Sequence, residues 1–366
     1  MNKSEDNKKY FVALSSNPMI GAKTILKLDK FFGGLEKLWI KANLDKLAKL
    51  HISSKIFNGI REVIYRVDPD REMEKLKRLG IKVLTIHDCK YPSLLKEIPD
   101  SPALLYVKGD IDVLSDPAIA VVGSRKYSSY GKRIVHEFVH NLVGSGLVIT
   151  SGLALGIDSL AHQACLEAGG KTIGVLACGL DMIYPSSNKS LAEGVLKRGG
   201  AIISEYPPGM VALKYNFPLR NRIIAGMTMG TLIVEAAKQS GTLLTAKAAL
   251  DYNRELFVIP GSIYSLTSEG ANSLIKYGAN LITNYEDIIS ILNLEDKKEI
   301  AKAKKIIPDN RYEAVVLTNL CKDNPCHVDK LVKLTALTIS ELNSTLILME
   351  MKGKVKNLGN NLYVLG

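Results

Sequence analysis

Ala118–Val143, AIAVVGSRKYSSYGKRIVHEFVHNLV, is the stretch whose reading decides the fold. Five apolar residues in a row, Ala118–Val122, predict a strand covered on both faces. Gly123 then allows a tight turn. From Lys132 to Val143 the apolar residues recur at helical spacing, which predicts a helix. Strand, glycine turn and helix form the first half of a βαβ unit. The same rhythm continues with predicted strands at Gly146–Thr150, Thr172–Ala177, Ala201–Ser204, Thr231–Val234 and Leu256–Ile259. Predicted helices at Gly156–Ala168 and Asn188–Lys197 lie between them. The expected class is α/β, with a doubly wound, Rossmann-like parallel sheet as its core.

Outward from this core the pattern changes. Residues 1–68 carry short apolar-periodic segments and predict a small helical accessory module, of the sterile-α-motif or helix-hairpin-helix kind. Residues 69–290 form the expected core, in which Asp70–Leu79 is a helix. Strands at Lys82–Ile86 and Ala103–Lys108 approach the sheet. A charged linker is expected over 291–307. Beyond it, 308–366 predicts helices at Tyr312–Leu320, His327–Leu334 and Thr338–Met351. A hairpin follows across Gly359-Asn360-Asn361. Three helices and a hairpin are the pattern of a winged helix. In that plan the third helix could enter a major groove, but its face, SELNSTLILMEMKG, lacks an arginine-lysine surface, and a protein contact or a packing role is the alternative.

The chain has 366 residues, a formal charge of +11 and a pI near 9.2. That bias favours a polyanion, an acidic partner or an anionic surface without choosing among them. The N-terminal MNKSEDNKK is polar, and no run approaches the roughly 18 apolar residues of a membrane span. A cytoplasmic protein without membrane contact is expected. Cys321, Cys326 and His327 lie close together, but the other half of a zinc site is missing. No cofactor and no metal are expected.

Four polar clusters fall where an open α/β sheet places its ligands, outside the carboxyl ends of the strands. Gly123-Ser124-Arg125-Lys126 combines a turn with a guanidinium fork suited to phosphate; the alternative is a salt-bridged arginine beside a turn. Ser151–Asp158 follows a strand, and Asp158 and His162 stand four apart on one helical face. That pair reads either as acid/base or metal chemistry, or as a cap and a satisfied core histidine. Lys214–Gly226, KYNFPLRNRIIAG, gathers Lys214, Arg220, Asn221 and Arg222 around Phe217. Phosphate grips beside a stacking ring suit single-stranded nucleic acid; the alternative is a solvated basic loop with Phe217 buried. Ser240–Lys247 opens a helix whose hydroxyls and N–H groups either hold an anion or cap the helix. There is no GxxxxGK[ST] and no tight GxGxxG after a strand.

In this order the motifs GSRKYSSYG, SGLALGIDSLAH, GGKTIGVLACGLDMIYPSSNKSL, ISEYPPG, FPLRNRIIAG, SGTLLTAKAAL and VIPGSIYSLTSEGANSLIKYGA resemble the bacterial DNA-processing protein A family, also called Smf. The resemblance runs from Ala103 to Tyr285, about half of the chain. It implies single-stranded DNA binding on the Rossmann-like core and loading of RecA recombinase during natural transformation, beside or against single-strand binding protein. It also implies a homodimer and no classical enzymatic activity. Residue by residue the family's Gly-Ser-Arg arginine falls on Arg125, its basic residue before the FPLRN run on Lys214 and its stacking ring on Phe217, with Arg220 and Arg222 completing the positive pocket. Gly123, Ser124, Lys126 and Asn221 are expected to bind the strand beside them. Lys247 is expected to add a further cation.

The competing class is an enzyme. Gly226–Glu235, GMTMGTLIVE, loosely resembles the loop of nucleotide-monophosphate phosphoribohydrolases, in which a glutamate is catalytic. Those enzymes carry a double glycine before the Gly-Thr pair. Here Ala225-Gly226-Met227 stands instead, which argues against hydrolysis.

Overall fold

The computed structural model describes residues 3–40, 45–50, 52–295, 308–320, 325–352 and 354–365. The described chain divides into two compact units. One comprises Met1–Val143 and Leu147–Ile288; the other comprises Gly144–Gly146 and Ile289–Gly366. Most of the expected linker, 296–307, and Cys321 lie outside the described residues.

The first unit opens with helices α1 (Lys3–Ser15), α2 (Ala22–Phe32), α3 (Ser54–Arg66) and α4 (Pro69–Arg78). Their ends follow from local chemistry. Ser53 accepts the Ile56 N–H at the start of α3. Asp68 accepts the N–H groups of Asp70 and Arg71, and Pro69 sits in the first position of α4, where its missing N–H costs nothing. Then follow β1 (Lys82–Thr85), α5 (Ser93–Glu97), β2 (Leu104–Gly109), β3 (Ala118–Val122), α6 (Ser129–Gly144), β4 (Val148–Ser151), α7 (Ile157–Glu167) and β5 (Thr172–Val175). The unit continues with α8 (Lys189–Lys197), β6 (Ala201–Ser204), α9 (Asn216–Gly226), β7 (Gly230–Ile233), α10 (Thr242–Asp251), β8 (Glu255–Val258), α11 (Glu269–Lys276) and β9 (Asn280–Leu281).

The nine strands form one sheet in the order β1-β2-β6-β5-β4-β3-β7-β8-β9. From β6 to β9 every pairing is parallel. At the other edge β1 and β2 pair with each other, and β2 with β6, in antiparallel register. The expectation of a wholly parallel sheet is therefore corrected to a mixed one. The chain returns from β1 to β2 beside it, with no crossover to reverse its direction, and an antiparallel pair is the result. Strands β3 to β7 are buried along their whole lengths, which their unbroken apolar sequence requires.

Alternate residues feed two cores. Leu105, Val107, Ala201 and Ile203 join Ala120, Val122, Val175 and Ile233 on one face. Leu104, Tyr106 and Ile202 face the other way. They pack with Phe11, Leu14, Ile25, Leu28, Leu38 and Ile60 of the N-terminal segment. Ser15 Oγ lies 2.6 Å from Tyr106 Oη across this junction. The N-terminal helices thus share a core with the sheet.

Two stretches differ from expectation. No element is predicted over Lys214–Gly226, and a solvated basic loop is one of its two readings, yet Asn216–Gly226 is a helix. Pro218 hides it, although proline is tolerated in a first turn. The segments 82–85 and 104–109 are strands of the sheet itself rather than a lead-in to it.

The chain continues through α12 (Tyr285–Ile291). The second unit then holds α13 (Arg311–Asn319), β10 (Cys326–His327), α14 (Val328–Thr335), α15 (Ile339–Met351), β11 (Val355–Asn357) and β12 (Leu362–Leu365). The strands pair antiparallel in the order β10-β12-β11. Val316, Leu331, Leu342, Leu346 and Met349 form its core. A capping box between Thr338 and Glu341 starts α15. His327 caps α14 by accepting the Asp329 N–H on Nδ1 at 3.3 Å, and Cys326 is buried. Among the described residues no single helix is long and apolar enough to cross a membrane.

Phe11 is buried in the core shared by the helices and the sheet. Phe11→Ala is expected to destabilise the first unit by roughly 3–5 kcal/mol. In urea denaturation, the loss should appear in one transition common to helix and sheet signals.

Candidate nucleic-acid interface

Strand order reverses at β3. The chain leaves β3 toward β4 on one side and later returns to pair β7 on the other. The loops after these two strands diverge, and a cavity of about 550 Å³ opens between them. Its walls are Gly123–Lys126 after β3, Ser240, Gly241 and Thr242 at the start of α10, and Phe217, Arg220 and Asn221 of α9. A smaller cavity of about 60 Å³ adjoins it, lined by Arg125, Phe217, Arg220, Leu155 and Tyr184.

The β3 turn is held by its backbone. The Ser124 N–H donates to the Glu235 carbonyl at 2.8 Å, and the Ser124 carbonyl accepts the Ile157 N–H at 3.1 Å. Ser124 Oγ donates to the Lys126 carbonyl at 2.6 Å and accepts the Lys126 N–H at 3.0 Å. Its hydroxyl is spent on shaping the turn, which leaves Arg125 and Lys126 exposed at the cleft. Gly156 packs behind the turn at φ +89°, and a Cβ there would lie 2.3 Å from the Ser124 carbonyl oxygen. Only glycine fits that approach.

Phe217 is the centre of the site. Arg125 Cζ lies 5.6 Å from its ring centroid and Arg220 Cζ 6.0 Å. Tyr184 stands 5.7 Å away between centroids, tilted by 58°. A guanidinium at such distances is attracted by the ring's negative face. Tyr184 is half exposed. The sequence reading missed it because its segment, 178–187, lies between a predicted strand and a predicted helix and carries no basic residue.

Arg220 has a different part from Arg125. It is 4% exposed. Its Nη1 donates to the Gly152 carbonyl at 2.6 Å and to the Val175 carbonyl, and its Nε donates to Asn221 Oδ1 at 3.1 Å. Burial lowers its pKa, and the nearby Asp158 charge opposes that shift. Burial likewise raises the Asp158 pKa, against the pull of Arg220. Asp158 also accepts the Gly152 N–H at 3.1 Å. Arg220 therefore lines the cavity as a fixed wall and source of positive field.

The placement of Arg222 is a correction. It does not reach the cleft. Its guanidinium pairs with Glu205, and its Nε lies 3.7 Å from Asp100. It borders another cavity, of about 500 Å³, on the far side of α9, with Tyr215, Asn216, Leu219 and the N-terminal Gly21. Residues two apart on a helix face away from each other, whereas Phe217, Arg220, Asn221 and Ile224 share one face. Lys214 and Lys247 are exposed and line neither the cleft nor the cavity beside it.

Helix ends add to the field. The first turns of α9 and α10 hold no acidic side chain, and both border the cavity. The first N–H groups of α10 are already paired, those of Thr242 and Leu243 with Ser240 and that of Leu244 with the Gly241 carbonyl, so what the helix ends offer an anion is the positive end of the dipole.

The acid/base and metal reading of Asp158 and His162 gives way to a structural one. His162 is fully buried, and its Nδ1 lies 2.7 Å from Thr172 Oγ1. That hydroxyl donates to the Ile149 carbonyl at 2.5 Å, so Nδ1–H is the donor to it. Burial, together with the charge of Arg220, pushes the His162 pKa down to about 3. Glu235, the counterpart of a catalytic glutamate, is buried as well. It accepts from the Ser128 N–H at 3.0 Å, Ser128 Oγ at 2.6 Å and Thr267 Oγ1 at 3.2 Å. Its carboxylate is committed to the start of α6.

A mixed α/β sheet, a cleft at its switch point and an exposed guanidinium against an aromatic ring define a class: an α/β protein whose cleft has the chemistry to hold an anion beside a planar group. The chain belongs to the DNA recombination-mediator protein A family, whose model matches residues 82–293. A second model, for the DprA winged helix domain, matches residues 301–361. The chain is 44% identical over 220 residues to DNA processing protein DprA of Streptococcus pneumoniae, covering 60% of this chain and 76% of that one. It is 32% identical over 382 residues to protein Smf of Synechocystis, covering 94% and 96%. The solved structure of the Streptococcus pneumoniae protein superposes with a TM-score of 0.68 at 37% identity, covering 77% of this chain and 97% of that one. DNA processing protein A from Helicobacter pylori, solved for its single-stranded DNA binding mode, gives 0.53 at 32% identity, covering 58% and 95%.

Two outcomes follow from the buried charges. Arg220→Ala should destabilise the first unit by roughly 3–5 kcal/mol in urea denaturation, because Asp158 is left buried without its countercharge. Arg125→Ala should leave the denaturation midpoint unchanged. His162 stays neutral in the fold down to about pH 3. Unfolded, it takes a proton near pH 6.5, so the unfolded state binds more protons below that value. Its contribution to stability is therefore present above pH 6.5 and falls by up to about 1.4 kcal/mol per pH unit below it. Denaturation midpoints between pH 7.5 and 5 measure this, and His162→Gln should flatten the slope.

Proposed function

We propose that this chain binds single-stranded DNA in the β3–β7 cleft and mediates recombination by presenting that strand to RecA. The observation that carries the reading is the Phe217 ring with Arg125 at 5.6 Å, open to the switch-point cleft. A base stacks on the ring while Arg125 and Lys126 meet the adjacent phosphates. Family membership and the strand-binding relative from Helicobacter pylori support the same reading. Gly123 and Ser124 shape the turn, Asn221 borders the base, and Arg220 supplies fixed charge. Lys214 and Lys247 extend the cationic track beyond the cleft. Arg222 is left out of it.

In this reading the core is Rossmann-like, extended by an antiparallel edge, and the C-terminal unit is a winged helix. The working divisions are a helical module over 1–68, the core over 69–290, a linker over 291–307 and the winged helix over 308–366. The protein works in the cytoplasm as a homodimer, which lengthens the strand track, and meets single-strand binding protein on the same DNA. The binding step uses no cofactor and no bond cleavage.

Fluorescence anisotropy with labelled oligothymidine and an equal-length duplex, at several salt concentrations, tests the site. The single strand should bind more tightly. Arg125→Ala should reduce the salt slope by about 0.7, the loss of one single-strand phosphate contact. Phe217→Ala should weaken binding by roughly 1–3 kcal/mol for each base it stacks. Arg222→Ala should leave the slope unchanged. Equal affinity for the duplex, or variants at Arg125 and Phe217 that match the wild type, would sink this site.

A further inference from the structure

We propose that His136, His140 and Glu167 form a divalent-metal site with a preference for zinc, which ties α6 to α7. His136 and His140 stand four residues apart on α6, so their rings project from one face. The rings are stacked, with centroids 4.4 Å apart and planes 27° from parallel. Glu167 ends α7, and its Oε2 lies 3.6 Å from His136 Nε2. One ligand atom from each of the three side chains falls within 4.8 Å of the others.

The contact between His136 Nε2 and Glu167 Oε2 accounts for those two side chains. It leaves His140 unexplained. Its Nε2 is shut off from water and has no hydrogen-bond partner. A ring nitrogen of each histidine and a Glu167 carboxylate oxygen are gathered in one region. Coordination through Nε2 would give His140 the partner that the fold withholds.

The donor set selects the ion. Two imidazole nitrogens and one carboxylate oxygen suit zinc, with water in a fourth position. Magnesium and calcium prefer oxygen alone. Zinc bonds of about 2.0–2.1 Å in a tetrahedron bring ligand atoms to roughly 3.3 Å from one another. His136 and Glu167 have side chains 62% and 46% exposed and are free to close that gap. An outer partner is already in place: Gln163 Nε2 donates to Glu167 Oε1 at 3.1 Å, leaving Oε2 toward the histidines. The clip joins the two helices that follow the Ser124–Lys126 turn and Gly156, on the side away from their first turns.

Titration of the chelator-stripped full chain with Co²⁺ tests the site, read by its visible ligand-field band. The expected result is one equivalent bound, displaced by Zn²⁺ and untouched by equal Mg²⁺. His136→Ala and His140→Ala should abolish the band. Gln163→Ala should weaken binding roughly tenfold, as loss of an outer partner does. Zinc should raise the Tm of the wild type and leave that of His136→Ala unchanged. His136 is largely exposed, so its variant folds and the test does not depend on the more buried His140. Absence of one-equivalent binding, or binding that survives both histidine variants, overturns the proposal.

Discussion

The cleft depends on one buried guanidinium. Arg220 reaches from α9 under the ends of β4 and β5, where it donates to the Gly152 and Val175 carbonyls. Those carbonyls lie at and beyond the strand ends, where the sheet ladder no longer pairs every group. A buried acceptor left without a donor is costly, and a buried charge without a countercharge costs more. Arg220 meets the first need, and Asp158 answers the charge of Arg220. The space around Gly152 is fully used, because a Cβ there would meet Arg220 and Asp158 at 2.6 Å. The same charge helps to keep His162 neutral. Arg220, Asp158, His162, Gly152 and Val175 are thus set by one another, and Phe217 rides on the helix that carries the guanidinium.

Arg125 is the complement. It sits on a turn held by the Ser124 backbone and hydroxyl, and it lines the cleft. Fixed charge below and exposed charge above divide the labour. Arg220 sets the potential of the wall, and Arg125 is available to a ligand. Ring and cation stand together before anything binds, so a base and its phosphate meet a site that needs little ordering.

Much of this was legible in the chain. The strands from Ala118 to Ile259 were readable because burial on both faces demands unbroken apolar runs, and such runs stand out. Gly123–Lys126 was readable because a glycine turn at a strand end is a local event. The helix Asn216–Gly226 was not. Its buried face carries Asn216 and Arg220, which blur the apolar period, and proline opens it. Without that helix the two arginines of LRNR look equivalent. With it they point to opposite sides, and Arg222 belongs with Glu205 and Asp100. The antiparallel edge was equally hidden, since strand direction depends on where the chain returns and leaves no trace in composition. Tyr184 and the pairing of Glu235 with Ser128 arise from contacts between distant segments, which no local pattern encodes.

Helix α9 is also a partition. One side closes the cleft around Phe217, and the other closes the cavity that runs to Gly21 in the N-terminal segment. The same eleven residues therefore answer to two surroundings at once, and a change of side chain on either face of the helix alters the wall of one chamber while the other face keeps its own partners.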